Sequence, residues 1–207
     1  MAPDKNSSQS IVLLAAGASS RMGRSKPTLP LGDSTFLGRI LDTVRPLAPR
    51  ETIVVVGEQR WALLRMLEAY PWVKPVVNPD PIRGQLSSLQ AALMNLQPCS
   101  RFWVHLADHP LVTERTWRIL WEEAERSPEA LLLPEYQGRR GHPVGIPYAF
   151  RWEILNFTGA PGLKRLFLDH PELVKTVPVD DPGIVADIDT PEEYLQIARA
   201  AGTGVPG

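Results

Sequence analysis

Ile11-Val12-Leu13-Leu14-Ala15-Ala16-Gly17-Ala18-Ser19-Ser20-Arg21-Met22-Gly23-Arg24-Ser25-Lys26-Pro27 decides how this 207-residue chain folds. The run Ile11–Ala16 is short, apolar and β-prone, and it empties into a loop of small residues. An apolar strand of this kind suits a parallel sheet covered on both faces. Small residues behind it let backbone N–H groups approach a phosphate closely. Arg21 and Lys26 add cations, the first a bidentate fork and the second a point charge. Spacing alone equally allows an ordinary strand-to-helix turn with solvated basic residues. The loop is not a Walker A loop, because five residues separate Gly17 from Gly23 and Lys26 comes three later. The dinucleotide fingerprint G-x-G-x-x-G is absent as well.

Outward from this loop the same grammar repeats. Thr52–Gly57, Val73–Val77 and Phe102–Asp108 read as further strands, bounded by Gly, Pro, Asn or Asp. Between them Thr35–Val44, Gln59–Ala69, Ser87–Leu96 and Glu114–Arg126 carry apolar stripes at helical spacing, which mark core-facing helices. The alternation predicts a single three-layer αβα domain with a doubly wound, mainly parallel, Rossmann-like sheet. After residue 127 the pattern changes. Ala130–Pro134 and His142–Pro147 flank a turn at Gln137–Gly141, and Leu173–Val179 follows, so a mixed sheet edge is expected. Thr190, Pro191 and Glu193 form a capping box that opens the final helix. Residues 1–9 and 202–207 lack apolar periodicity and are expected to be disordered, leaving residues 10–201 as the domain.

Charge narrows the function classes. With 22 Lys+Arg against 23 Asp+Glu the net charge is −1, which argues against nucleic acid or a membrane surface as partner. Any bound anion must be held by a few placed groups. The single Cys99 excludes an internal disulfide framework and a cysteine zinc site, and it suits a reducing, cytoplasmic setting. No Ser-His-Asp order or zinc-type histidine spacing is evident, and His105 and His109 have no assigned role.

Two further segments carry polar chemistry. Gly84-Gln85-Leu86-Ser87-Ser88 precedes and opens a helix, where the serines serve as caps or the helix N-terminus faces a ligand. Asp108 ends a buried strand, the position at which open α/β sheets bind ligands. It either caps the next turn or holds Mg²⁺, which takes one or two carboxylates together with phosphate oxygens and water. At strand spacing Asp187 and Asp189 share a face.

The segment Leu14-Ala15-Ala16-Gly17, with Ser19, Arg21-Met22-Gly23, Lys26 and Leu29-Pro30-Leu31-Gly32, resembles the signature of MobA-like NTP transferases, L-A-[AG]-G-x-S-x-R-M-G-x-x-K. The likeness runs from Ile11 to about Ala201. It implies a magnesium-dependent nucleotidyltransferase acting on an NTP and a small phosphorylated acceptor. Leu14, Ala15, Ala16, Gly17, Ser19, Arg21 and Lys26 would wrap the triphosphate, and Gly84, Gln85, Ser87 and Ser88 would hold base and ribose. Asp108 would bind the metal, with Asp189 favoured slightly over Asp187 as the second acid; Arg21, Lys26 and Asp108 would be catalytic. Ala107 replaces the family's usual glycine before Asp108 and leaves the ligand intact. Gln137–Val144 is similar to a segment on the family's acceptor side, so Arg139, Arg140 and His142 become acceptor contacts or, alternatively, a solvated hairpin tip. Ala16 and Ser25 resemble the cytidylyltransferase branch, which implies CTP, molybdopterin as acceptor and a molybdoenzyme of the xanthine dehydrogenase type as client. A guanylyltransferase, a cytidylyltransferase for methylerythritol phosphate, and a non-catalytic molybdopterin chaperone or oxidoreductase-associated module remain alternatives, since fold does not fix function.

Overall fold

A computed structural model describes residues 8–17, 26–57, 60–188 and 190–200; Ser19, Arg21 and Asp189 lie outside the described residues. The first half runs β1 (Gln9–Leu14), the short hairpin β2 (Pro30–Leu31) and β3 (Ser34–Thr35), α1 (Phe36–Val44), β4 (Thr52–Val56), α2 (Arg60–Leu67), β5 (Val73–Val77), α3 (Gln85–Asn95), β6 (Arg101–Leu106) and α4 (Glu114–Arg126). The second half runs β7 (Leu131–Tyr136), β8 (Arg139–Arg140), β9 (Val144–Pro147), α5 (Arg151–Leu155), α6 (Lys164–Asp169), β10 (Val174–Pro178) and α7 (Pro191–Ala200).

The main sheet has the order β10-β7-β9-β6-β1-β4-β5, with β8 paired to β7. β5, β4, β1 and β6 are parallel neighbours. β9 lies antiparallel to both β6 and β7, and β10 is parallel to β7. The reversed strands β9 and β8, both antiparallel to β7, therefore make the mixed edge that the sequence predicts. Side chains alternate across the strands with period two. Ile11, Leu13, Val54 and Val56 pack with Leu37, Leu41, Leu63 and Trp117 of α1, α2 and α4. Val12, Ile53 and Val55 pack with Leu89, Leu93, Ile154 and Leu166 of α3, α5 and α6. Two covered faces give three layers, the αβα architecture expected. A small third cluster seats Tyr194 and Ala198 of α7 against Leu29, Leu31 and Phe36.

Some boundaries move, and the reasons are local. β1 starts at Gln9, inside the stretch expected to be frayed, because its buried polar side chain finds partners: Trp103 Nε1 donates to Gln9 Oε1 at 2.8 Å, and Gln9 Nε2 donates to Glu125 at 2.6 Å. The β2–β3 hairpin has two-residue strands, too short for any periodicity to show. The capping box forms as read: Thr190 N donates to the Glu193 carboxylate and Glu193 N to Thr190 Oγ1, at 2.8 and 3.2 Å. Among the described residues no helix is long and apolar enough to cross a membrane.

The stretch Asp181–Ile188 works as a strap. The buried Asp181 carboxylate accepts from Thr113 N, Thr113 Oγ1 and Thr116 Oγ1 at 2.9, 2.8 and 2.6 Å, which fastens it to the start of α4. Further along, Ile184 O accepts from His142 N at 2.9 Å, and Ile188 N donates to Asp108 O at 3.1 Å. The fit leaves no room for side chains: a Cβ at Gly141 would overlap the Ile184 carbonyl, and one at Gly183 would overlap that of Leu111.

Candidate functional site

A cleft of about 270 Å³ opens where β1 and β6 end. Leu14, Ala15, Ala16, Gly17 and Lys26 form one side, Gly84, Gln85 and Ser88 another, and Leu106, Ala107 and Asp108 the floor. Parallel strands place it: Leu14 and Leu106 are partners in register, so the residues that follow each strand emerge side by side. Three separate sequence signals thus converge on one space, at the strand ends where such sheets bind ligands. Gly84 has φ of +84°, a conformation side-chain-bearing residues resist, and it turns the chain into α3. α3 has no side-chain cap, so its N-terminal positive character is available to an anion.

The two serines of α3 differ. Both are buried, but Ser88 lines the cleft and Ser87 does not. Asn78, just after β5, donates from Nδ2 to both serine oxygens at 2.9 Å, while its Oδ1 accepts from Asp80 N at 2.9 Å. Ser87 Oγ in turn lies 2.8 Å from Gly84 O and 3.0 Å from Asp80 O. Its hydroxyl is spent on the turn. Sequence reading missed Asn78; its signal, a polar residue before Pro79 at a strand end, also describes any turn.

A second cleft of about 800 Å³ adjoins the first and shares Leu14, Gln85 and Leu106 with it. Its walls are largely apolar, including Leu86, Leu133 and Phe167, with Arg83, Arg140, His142 and Lys164 as its basic groups. Arg140 and His142 are therefore brought together here; Arg139 is exposed and does not line this cleft.

On the α4 side of β6, His105 packs against Trp117 and begins a column of three histidines, of which His142 lines the larger cleft. His105 and His109 are buried, and ring centroids stand 6.2 Å apart for His105–His109 and 5.2 Å for His109–His142. His105 Nε2 sits 3.0 Å from the His109 carbonyl, so that nitrogen carries the proton and donates. Burial, then the neighbouring His142 and His109, hold the His105 pKa well below the usual imidazole range. Burial first and His109 second lower that of His142 to about 4. Both rings are neutral at pH 7. His109 Nε2 approaches Asp108 Oδ1 at 3.8 Å.

Asp187 is exposed, next to the Ile188 amide that is bonded to Asp108. Among the described residues no three His, Cys, Asp or Glu converge as a metal site. The oxygen donor at Asp108, in one cleft with Gly17 and Lys26, nonetheless fits Mg²⁺, which needs only one or two carboxylates from protein.

Residues 11–174 match the MobA-like NTP transferase domain, and the chain belongs to that family. It is 27% identical over 186 residues to the molybdenum cofactor cytidylyltransferase of Escherichia coli K12, covering 89% of this chain and 92% of that protein. It is 29% identical over 198 residues to the nicotine blue oxidoreductase of Paenarthrobacter nicotinovorans, covering 90% and 94%. Its fold is similar to that of Rv0371c from Mycobacterium tuberculosis H37Rv, with a TM-score of 0.81 and 27% identity over 92% of this chain and 97% of that one. A crystal structure of Rv0371c in complex with manganese superposes with a TM-score of 0.74 and 25% identity, over 93% and 98%. The chain is a nucleotidyltransferase of the MobA-like family.

Proposed function

We propose that this nucleotidyltransferase moves CMP from CTP to the phosphate of molybdopterin in a Mg²⁺-dependent reaction that releases pyrophosphate. The observation that carries the proposal is the meeting of Lys26 and Asp108 in one cleft, at the ends of adjacent strands β1 and β6. A fixed cation and a carboxylate on a shared phosphate-sized space suit displacement at phosphorus by positioning and charge alone.

In this reading an acceptor phosphate oxygen attacks the α-phosphorus of CTP, and the bond to the β-phosphate oxygen breaks. The backbone from Leu14 to Gly17 cradles the triphosphate, and Lys26 takes up charge on the departing pyrophosphate. Arg21 and Ser19 are assigned the same side on the loop signature. Asp108, with Asp189 or Asp187, would hold Mg²⁺, which supplies charge neutralisation at the phosphate oxygens. Gly84, Gln85 and Ser88 take the nucleoside, while Ser87 supports the turn. Arg140 and His142 belong to the acceptor in the larger cleft; Arg139, outside it, is the weaker assignment. The choice of CTP rests on Ala16 and Ser25 and on the likeness to the E. coli cytidylyltransferase. The nucleotide-bearing product would then pass to a molybdoenzyme of the xanthine dehydrogenase type.

The test is pyrophosphate release with Mg²⁺ and each of CTP, GTP, ATP and UTP, with and without molybdenum-loaded molybdopterin. Release with CTP only when the acceptor is present is the expected result. Preference for GTP would move the chain to guanylyl transfer. Acceptor binding without release from any NTP would favour a non-catalytic carrier.

A further inference from the structure

We infer that Asn78 is a positioning residue that leaves the Ser88 hydroxyl proton to be accepted by a nucleotide in the smaller cleft. The inference rests on the nucleotide reading of that cleft and adds a specificity device to it.

The direction of each bond follows from elementary chemistry. The backbone N–H of Asp80 can only donate, so the atom of the Asn78 amide that meets it at 2.9 Å is the oxygen. The NH₂ end therefore faces the serines, and both hydroxyl oxygens must accept from it at 2.9 Å. Each serine then keeps one proton to place. Ser87 gives its proton to the Gly84 or Asp80 carbonyl. Among the described residues Ser88 has no such acceptor; it lines the cleft, and Asn78 engages one of its two lone pairs, so its proton and one remaining lone pair are left to the cleft. With its side chain buried and held by Asn78, the remaining proton is directed to whatever occupies the cleft.

A donor fixed in this way selects an acceptor atom, either a pyrimidine carbonyl oxygen or a phosphate oxygen. A ligand group that is itself an N–H can meet only the remaining lone pair and leaves the Ser88 proton without an acceptor. Asn78 never touches the ligand in this scheme; it acts through Ser88.

The test is a double-mutant cycle on CTP binding, measured as dissociation constants by titration calorimetry in the full chain. Ser88→Ala removes the donor and should weaken binding about fivefold. Asn78→Asp presents only acceptors, so the Ser88 proton turns inward and its lone pair faces the cleft; binding should weaken about tenfold or more. Repulsion between the new carboxylate and the phosphates persists in the Ser88→Ala background and is subtracted by the cycle. The expected result is that Asn78→Asp costs at least about fivefold less in that background. Should Asn78→Asp fail to fold, Asn78→Ala replaces it, with an expected coupling of about two- to threefold. Competition by tripolyphosphate separates the sources: an effect of Ser88→Ala on CTP alone places the acceptor on the nucleoside, and an effect on both places it on the phosphates. Equal costs of the Asn78 change in both backgrounds would overturn the inference while leaving the site intact. Failure of the wild-type chain to bind any NTP would overturn the inference and the nucleotide reading together.

Discussion

The smaller cleft, about 270 Å³, is made where parallel strands β1 and β6 end, from backbone, small residues, Lys26 and Asp108. The larger, about 800 Å³, lies beside the reversed strand β9 and α6, and its character comes from side chains: apolar walls with Arg140, His142 and Lys164. The first can hold a phosphate chain by main-chain approach and a few charges; the second can select a bulky anionic acceptor by shape. The difference suggests a division of labour within one sheet. On the proposed function, the parallel half would carry the reacting centre and the mixed half would choose what reacts.

That division can be broken experimentally, and the largest effect should come from its chemical side. Asp108→Ala is expected to lower kcat about 10³-fold with acceptor affinity unchanged, read from steady-state pyrophosphate release and acceptor titration. Full activity would remove Asp108 from the metal assignment. Next comes the strap that joins both regions. Asp181→Ala strands the donors of Thr113 and Thr116 and should cost about 3 kcal/mol in urea unfolding, harming neither cleft selectively.

The histidine column at the edge of the larger cleft predicts acid sensitivity. For His142 the folded pKa is about 4 against an ordinary value of 6.5, so between these the unfolded chain binds a proton that the folded chain does not. Stability should be flat above pH 6.5 and fall as pH drops towards 4, by at most about 3 kcal/mol from this ring, less because it is partly open to the cleft. His105, shifted in the same direction, steepens the fall. A His142→Gln variant with an unchanged acid slope would exclude this source. The smallest effect sharpens the comparison most. Arg140→Ala should raise the acceptor KM about tenfold while the CTP KM stays put, and Arg139→Ala should change neither.

How far the sequence could be read follows the same divide. The cleft residues Leu14–Gly17, Gly84 and Asp108 were legible because each sits at a strand end or a glycine turn, and those boundaries are local signals; Lys26 was legible from its spacing after Gly17. The mixed edge was legible only as a change of pattern, since the insertion of β9 between β6 and β7 depends on pairing across the fold. Asn78, His105 and Asp181 could not be read. Each is a buried polar residue whose meaning lies in partners such as Ser88 or Thr116, and a lone polar residue in sequence looks solvated until those partners arrive. Ser87 shows the converse: adjacent to Ser88 and identical to it, it faces the turn instead of the cleft.

The place of β9 has a consequence for the chain's birth. β6 pairs on one side with β1, already synthesised, but its other side is closed by Val144–Pro147, which follow about forty residues later. At about 5–20 residues per second, a nascent chain spends some seconds with the Phe102-Trp103-Val104 edge unpaired. An open apolar edge is a template for pairing with another chain. On the ribosome, the reversed strand is thus the piece that ends a window of aggregation risk, and a fragment stopped at residue 127 would make that window permanent.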